Sequence, residues 1–397
     1  VTDSASATRR GELDAIRLFV VLGLVFFHSA LVFDTRDDYY VKNSETTEVT
    51  TWLAGLGVVW AMPALFLIAG LGSWHSLRRR GARGFAGERL LRLGVPLVFA
   101  TLTIIPVPQW LRLKAADPGY DEPYLTFLRQ FFDVHIELSN FPFVVQGKYF
   151  ETGHLWFVVL LLTFSLMLAL LAGWLPGGPV TRVRDLLASA VGRRGVVFAA
   201  ALPLVLVTAL LGMEEPYAGW SRWAYLLYFA YGFVLAADDR FRTAMRRDAV
   251  PAAVIGVVLF CAAGVALATA GGDPFTDMTG HAILARVLFG ACGWFWLIAI
   301  LGLLDRPTRE PSRPEPAPDE RSRRRRVYAY LATAALPFYI LHQPIVVVIA
   351  YFVVRWHAPI PAKYAAIVAM SFVVIFVVYD LGVRRTRVTR MLFGIRD

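Results

Sequence analysis

Apolar runs of about 20 residues, each long enough to cross a bilayer as a helix, recur ten times along this chain. They cover roughly 14–33, 51–74, 90–111, 152–173, 195–213, 220–237, 249–271, 282–304, 328–353 and 362–382. Inside hydrocarbon the backbone must satisfy its own donors and acceptors, which leaves helices or a closed barrel. The runs lack the period-two alternation of barrel strands. The predicted fold class is therefore all-α, a polytopic membrane helix bundle of about ten transmembrane helices. Composition agrees: 57% of residues are hydrophobic and only 18% charged, against about 45–50% and about 25% in soluble domains. Cys261 and Cys292 both lie in apolar runs and read as packing residues, not a redox pair or ligands.

The 40 Lys and Arg outnumber 30 Asp and Glu. A basic excess can mark a nucleic-acid binder. Here the arginines gather at the ends of apolar runs and form no patch on a soluble domain, so no nucleic-acid partner is expected. If the N-terminus is cytoplasmic, 29 Lys/Arg fall in inner segments and 8 in outer ones, and the positive-inside rule then puts both termini in the cytoplasm. The first run follows Arg9 and Arg10 without a small-residue cleavage site, so it is expected to remain as a helix. Residues 1–397 read as a single membrane-embedded domain. A Pro- and charge-rich disordered cytoplasmic linker is expected at about 305–327. In the longest outer segment, 112–151, Tyr124, Phe127, Leu128, Phe131 and Phe132 recur at helical spacing. That pattern predicts an amphipathic helix on the outer interface.

Ionisable side chains inside apolar runs are costly and tend to face the bundle interior. The first run holds Asp14, Arg17 and His28. Arg17 and His28 are 11 residues apart, close to three turns, which puts them on one face and roughly 16 Å apart along the axis. Asp14 is placed to pair with Arg17 at i,i+3. His342, in PFYILHQPIV, sits at a depth similar to that of His28. His154 opens the fourth run in ETGHLWF, with Glu151 one turn earlier. Three histidines from three helices at one depth suggest a polar outer cavity for proton chemistry. Singly, each also fits a helix-packing or interfacial residue, and Arg17 a snorkelling anchor. On the inner side, Arg89 and Arg92 stand at i,i+3 and with Arg17 form a candidate anion site, since guanidinium forks suit phosphate oxygens. The plain alternative is positive-inside decoration. No HExxH, CxxC or Gly-rich phosphate loop occurs, so no metal and no bound cofactor are expected.

ELDAIRLFVVLGLVFFH, with Arg17 and His28 bracketing ten residues, resembles the first helix of the acyltransferase-3 family of integral membrane acyltransferases. Arg89 and Arg92 match the family's Arg-x-x-Arg motif. PALFLIAGLGSW resembles its second-helix stretch, with Ala69 where the family has a serine. GHLWFVVLLL and PFYILHQPIVV are most similar to the glucan-modifying succinyltransferase-like branch. The resemblance covers nearly the whole chain. It implies a membrane O-acyltransferase that moves an acyl group (acetyl, succinyl or similar) from cytosolic acyl-CoA, a co-substrate, to a hydroxyl of a glycan or glycolipid on the extracytoplasmic side. The implied roles are His28 as catalytic base or acyl carrier, Arg17, Arg89 and Arg92 as acyl-CoA ligands, and Glu151, His154 and His342 as acceptor-binding or orienting groups. The expected partners are acyl-CoA, a carbohydrate or lipid-linked acceptor and the bilayer. The expected location is a cell membrane crossed many times, the cytoplasmic membrane of a bacterium, and the oligomeric state is left open. Buried ionisable groups among many helices also fit a transporter or exporter of a small polar solute, or a non-enzymatic member of a glycan-assembly complex.

Overall fold

The computed structural model describes residues 11–36, 39–174, 177–305 and 318–395. α1 (Gly11–Leu31) leads through a long, well-packed loop to α2 (Glu48–Arg89), which starts where the Thr47 side chain accepts the Val49 N–H. A π-helical turn, Leu90–Gly94, joins α2 to α3 (Val95–Thr103) and α4 (Pro106–Ala116). Then come α5 (Tyr124–Phe131) and a hairpin of β1 (Val134–Ile136) and β2 (Val145–Gly147), antiparallel with His135 opposite Gln146. α6 (Trp156–Trp174), α7 (Gly177–Ala190), α8 (Ala201–Leu211), α9 (Arg222–Leu235) and α10 (Asp239–Arg247) follow. α11 (Ala249–Thr269), α12 (Gly280–Leu304), α13 (Pro318–Val353), α14 (Ile360–Val378) and α15 (Arg387–Leu392) complete the chain.

The fold is the expected all-helical membrane bundle, with 7 described stretches long and apolar enough to cross a bilayer. The mapping to the ten runs is uneven. One stretch, Glu48–Ala116, is 69 residues long and contains the second and third runs together. The fifth run yields only Val196–Leu211, bounded by Gly195 and Gly212, whose φ angles of 76° and 78° suit glycine and stop a helix. The sixth yields the 14 residues of α9, roughly 21 Å of helix against a hydrocarbon layer of roughly 30 Å.

The arginine-rich segment after the second run is helical: α2 continues through it and bends at Gly81, where φ is 69° and ψ 174°. Two other expectations change. The stretch around Tyr124 is helical but turns its aromatic face inward. Phe127 and Phe131 are fully buried, packed on each other and on Tyr149 and Phe150. Burial against neighbouring aromatics satisfies the same periodicity that a lipid surface would. Of the linker expected at 305–327, residues 306–317 lie outside the described residues, Asp305 is buried in an ion pair with Arg242, and 318–327 are helical. Pro318 at the first helical position, followed by Asp319 and Glu320, is a favourable helix start, and the arginines after it are good helix formers.

The bundle is knit by small residues. α2 and α9 cross so closely that a Cβ added to Gly70 would lie 2.0 Å from the Phe229 carbonyl oxygen, and one added to Gly232 would lie 1.9 Å from that of Leu67. Lipid tails are as apolar as leucine, so helices in a membrane gain little by hiding apolar surface. They associate by such close packing. Next to the crossing, Phe66 sits among Trp156, Phe157, Phe164 and Tyr225, which joins α2, α6 and α9.

Gly70→Ala and Gly232→Ala should each lower the thermal midpoint in detergent, by the equivalent of about 1–3 kcal/mol for overpacking. Gly72→Ala, with nothing within 4 Å of the new methyl, should leave it unchanged or raise it. Equal midpoints for the Gly70 and Gly72 variants would contradict the crossing.

Candidate functional site

α13 carries two internal prolines, Pro337 and Pro344, on either side of His342. A proline has no N–H to give the carbonyl one turn back, so Pro344 leaves the Ile340 carbonyl without its helical donor. His154, from the short turn Gly153–Leu155 that precedes α6, fills that place: its Nε2 lies 3.1 Å from Ile340 O. A carbonyl only accepts, so Nε2 carries the proton. The Tyr339 hydroxyl donates back to the His154 carbonyl. One turn of α13 and the turn before α6 are thus locked together from both sides.

The same logic fixes His342. Its Nδ1 lies 2.6 Å from the Tyr339 carbonyl, so Nδ1 holds the proton and Nε2 presents a lone pair. That Nε2 is buried and has no hydrogen-bond partner among the described residues. The His342 ring lies 4.8 Å from His154 and 5.0 Å from His28, centroid to centroid. The three predicted histidines, from α1, α13 and the turn before α6, therefore meet. His154 and His342 are buried, whereas His28 is only partly covered, although its Nδ1 is buried and unbonded. His28 is thus the one partly exposed member of the trio, and its ring lies beside that of His342.

Glu151 stands apart from the trio. Tyr40, on the loop between α1 and α2, donates its hydroxyl to the Glu151 carboxylate. Burial pushes the Glu151 carboxyl above its usual range, against the opposing pull of that hydrogen bond and of Arg112. Glu151 acts as a tether from loop to turn, two residues before the one that sets the entry to His154: Gly153, at φ 48°, would meet the Tyr40 hydroxyl at 3.2 Å if it carried a Cβ.

The basic end of the bundle holds the arginines. Arg17 pairs with Asp14 at 3.4 Å, as the i,i+3 spacing predicts. Arg89 donates to the Ser73 hydroxyl at 3.3 Å and stacks on Phe85 at 5.0 Å. Buried Glu88 lies between the motif arginines, 3.7 Å from Arg89 and 3.8 Å from Arg92. These are ion-pair separations too long for hydrogen bonds, and the Arg89 Nε makes none. The π-helical turn that begins just after Arg89 departs from ideal i,i+3 register. The Arg89 side chain is 12% exposed and that of Arg92 45%.

Residue-type reasoning overlooked Tyr39, Tyr40, Tyr339, Ser73 and Glu88. Two of them had a sequence signal. Tyr339 precedes His342 by three residues, one helical turn, and Glu88 adjoins Arg89 and stands four before Arg92. Ser73 follows Ala69 by one turn and bonds its carbonyl at 2.8 Å. A hydroxyl is thus present on this helix face one turn beyond the position where the alanine stands.

A family model described as an acyltransferase domain matches residues 10–380. No curated protein and no solved structure matches the chain significantly.

The Glu151 shift has a measurable consequence. A carboxyl whose folded pKa is raised adds stability below its unfolded pKa and loses it as pH climbs through the folded value. The thermal midpoint of the wild-type protein should therefore fall, relative to Glu151→Gln, as pH rises from about 4.5, its ordinary value, into the raised range. A pH-independent difference between the two midpoints would contradict the burial of this carboxyl.

Proposed function

The chain belongs to the acyltransferase-3 family, whose domain covers residues 10–380, and with its 7 bilayer-length helical stretches it is a multi-pass membrane acyltransferase; from that premise we propose that it moves an acyl group from cytosolic acyl-CoA to a hydroxyl of a glycan or glycolipid at the extracytoplasmic face, in the cytoplasmic membrane of a bacterium. The observation that carries the proposal is the histidine trio. His28 has an accessible edge and stands 5.0 Å, ring to ring, from His342, whose Nε2 lone pair is uncommitted. Acyl transfer to a hydroxyl needs a base for that hydroxyl's proton and a proton for the departing thiolate.

His28 takes the acceptor proton as the hydroxyl oxygen adds to the thioester carbonyl, then returns it to the sulfur as the C–S bond breaks. His342 orients His28 and shares the positive charge, and His154 holds the turn of α13 on which His342 sits. Arg89 and Arg92, with Arg17 below His28 on α1, bind the phosphates of CoA at the inner mouth. Glu88 holds the two motif arginines near each other until phosphate oxygens arrive. The highly charged nucleotide then stays at the basic end, and only the pantetheine arm and acyl group travel the roughly 16 Å along α1 to His28. Acetyl and succinyl are the acyl units proposed.

The test is purified protein in liposomes with acetyl- or succinyl-CoA and candidate glycans, reading CoA release and the mass of the product. His28→Ala should lose about 10²–10⁴-fold in turnover, as expected for a removed general base; near-wild-type turnover would refute the assignment. Arg89→Lys with Arg92→Lys keeps the charge but loses the forks. It should raise the KM for acyl-CoA by the equivalent of about 1–3 kcal/mol in charge-assisted hydrogen bonds. The exposed Arg78 and Arg79, changed together to lysine, should leave KM unaltered. Equal KM values for the two double variants would return Arg89 and Arg92 to a purely topological role.

A further inference from the structure

The loop between α1 and α2 is pinned on several sides. Asn43 N–H bonds Val32 O at 2.9 Å and Thr47 N–H bonds Phe33 O at 2.8 Å. Lys42 donates to the Leu31 carbonyl at 3.0 Å and pairs with the buried Asp34 carboxylate. Buried Lys363, at the start of α14, reaches across to the Asn43 side chain at 2.9 Å. Tyr40 ties the loop to Glu151. This scaffold holds Tyr39, 7% exposed, with its ring stacked on His28 at 5.9 Å between centroids and 25° between planes.

The Tyr39 hydroxyl is buried and has no hydrogen-bond partner among the described residues. The contrast with other tyrosines is instructive. Tyr225 donates to Tyr217 O at 2.7 Å, Tyr231 to Ala200 O at 2.9 Å, and Tyr339 to the His154 carbonyl. Tyr228 also lacks a partner, but it lies elsewhere, against Trp220 and Gly293. A buried polar atom without a partner carries its full desolvation penalty, and three of them, unpartnered among the described residues, lie on two rings that each touch His28 and on His28 itself: the Tyr39 hydroxyl, His342 Nε2 and His28 Nδ1. Burial also pushes the Tyr39 phenol far above its usual range, so it remains a donor throughout the working pH range. One donor and two imidazole nitrogens around a reactive histidine match what a thioester and an alcohol bring together: a carbonyl oxygen that gains negative charge and a hydroxyl that loses a proton.

We propose that Tyr39 is a further catalytic residue, whose hydroxyl donates a hydrogen bond to the carbonyl oxygen of the acyl group as it becomes an oxyanion; the proposal rests on the acyl-transfer reading above. As the acceptor oxygen bonds to the carbonyl carbon, its proton passes to His28 and the carbonyl π pair moves onto oxygen, where Tyr39 holds it. The pair then returns, the C–S bond breaks, and the thiolate of CoA takes the proton from His28. A fixed donor aimed at developing charge is among the largest single contributions an active site makes.

Tyr39→Phe keeps the ring on His28 and removes only the hydroxyl. Turnover should fall by about 10²–10³-fold, the usual loss of one oxyanion donor, while the KM for acyl-CoA stays within about twofold, since the phosphates bind elsewhere. The thermal midpoint should hold or rise, because an unpaired buried hydroxyl is gone; a purely structural role would lower the midpoint and leave turnover per folded molecule unchanged. Wild-type turnover in Tyr39→Phe, alongside a dead His28→Ala control, overturns this proposal and leaves the acyl-transfer reading standing. An inactive wild-type protein with acetyl- and succinyl-CoA overturns both. If Tyr39→Phe does not fold, 3-fluorotyrosine at position 39 supplies the readout: its more acidic hydroxyl should change turnover, and an unaltered rate overturns the proposal.

Discussion

Every backbone carbonyl in a membrane-embedded helix has to find a donor within the protein, because the surrounding hydrocarbon offers none. α13 breaks that rule on purpose at Pro344, and the repair shapes the site. The carbonyl of Ile340 takes the Nε2 proton of His154, the Tyr339 hydroxyl returns a bond to the His154 carbonyl, and the Tyr339 carbonyl takes the Nδ1 proton of His342. The N–H missing at Pro344 thereby fixes the tautomer of His154 and the seat of α6 against α13, and the Tyr339 carbonyl separately fixes that of His342. His28 then meets a partner whose protonation is already decided. Preorganisation of this kind reduces what the enzyme must rearrange when charge develops.

The other buried charges follow the same economy of carbonyls. Arg286, fully buried near the start of α12, donates to Phe275 O at 3.0 Å and lies 3.4 Å from Ala209 O, at the carbonyl-rich end of α8, where the helix dipole favours a cation. Lys363 bonds Val354 O and Asn43. The end of the bundle where α1 finishes is thus closed by basic side chains that hold loops by their backbone. Arg222 does the same for the hairpin turn, reaching Asn140 O at 3.1 Å and Phe141 O at 2.9 Å while it stacks on Tyr217 and Phe143.

Two chemistries are kept apart along the bundle. The arginines and Glu88 occupy the end where α1 begins and α2 turns back at Gly81, and the histidines and tyrosines occupy the end where α1 finishes. The proposed transfer asks for this separation, since charge is costly deep in the bundle and proton transfer is most effective where water is scarce. The α2–α9 crossing at Gly70 and Gly232 holds this arrangement from one side, and the stacked aromatics around Phe66 hold it from within.

Sequence by itself determined the class, because length and apolarity of a run are properties of contiguous residues: a helical membrane bundle, Asp14 beneath Arg17, and three histidines at one depth. It also placed Arg89 and Arg92 together, since one helical turn separates them. What only the tertiary structure decided are relations between distant segments. That the sixth run gives a helix of only 14 residues, that the aromatic face of α5 meets Tyr149, and which partner Glu151 takes all depend on neighbours that local periodicity does not name. Tyr39 is the clearest case. Nothing in its flanking residues marks it, because the role proposed for it comes from a loop pinned by Lys42, Asn43 and Lys363 over a histidine from the preceding helix, and its hydroxyl becomes informative only once it is seen to lack a partner among the described residues.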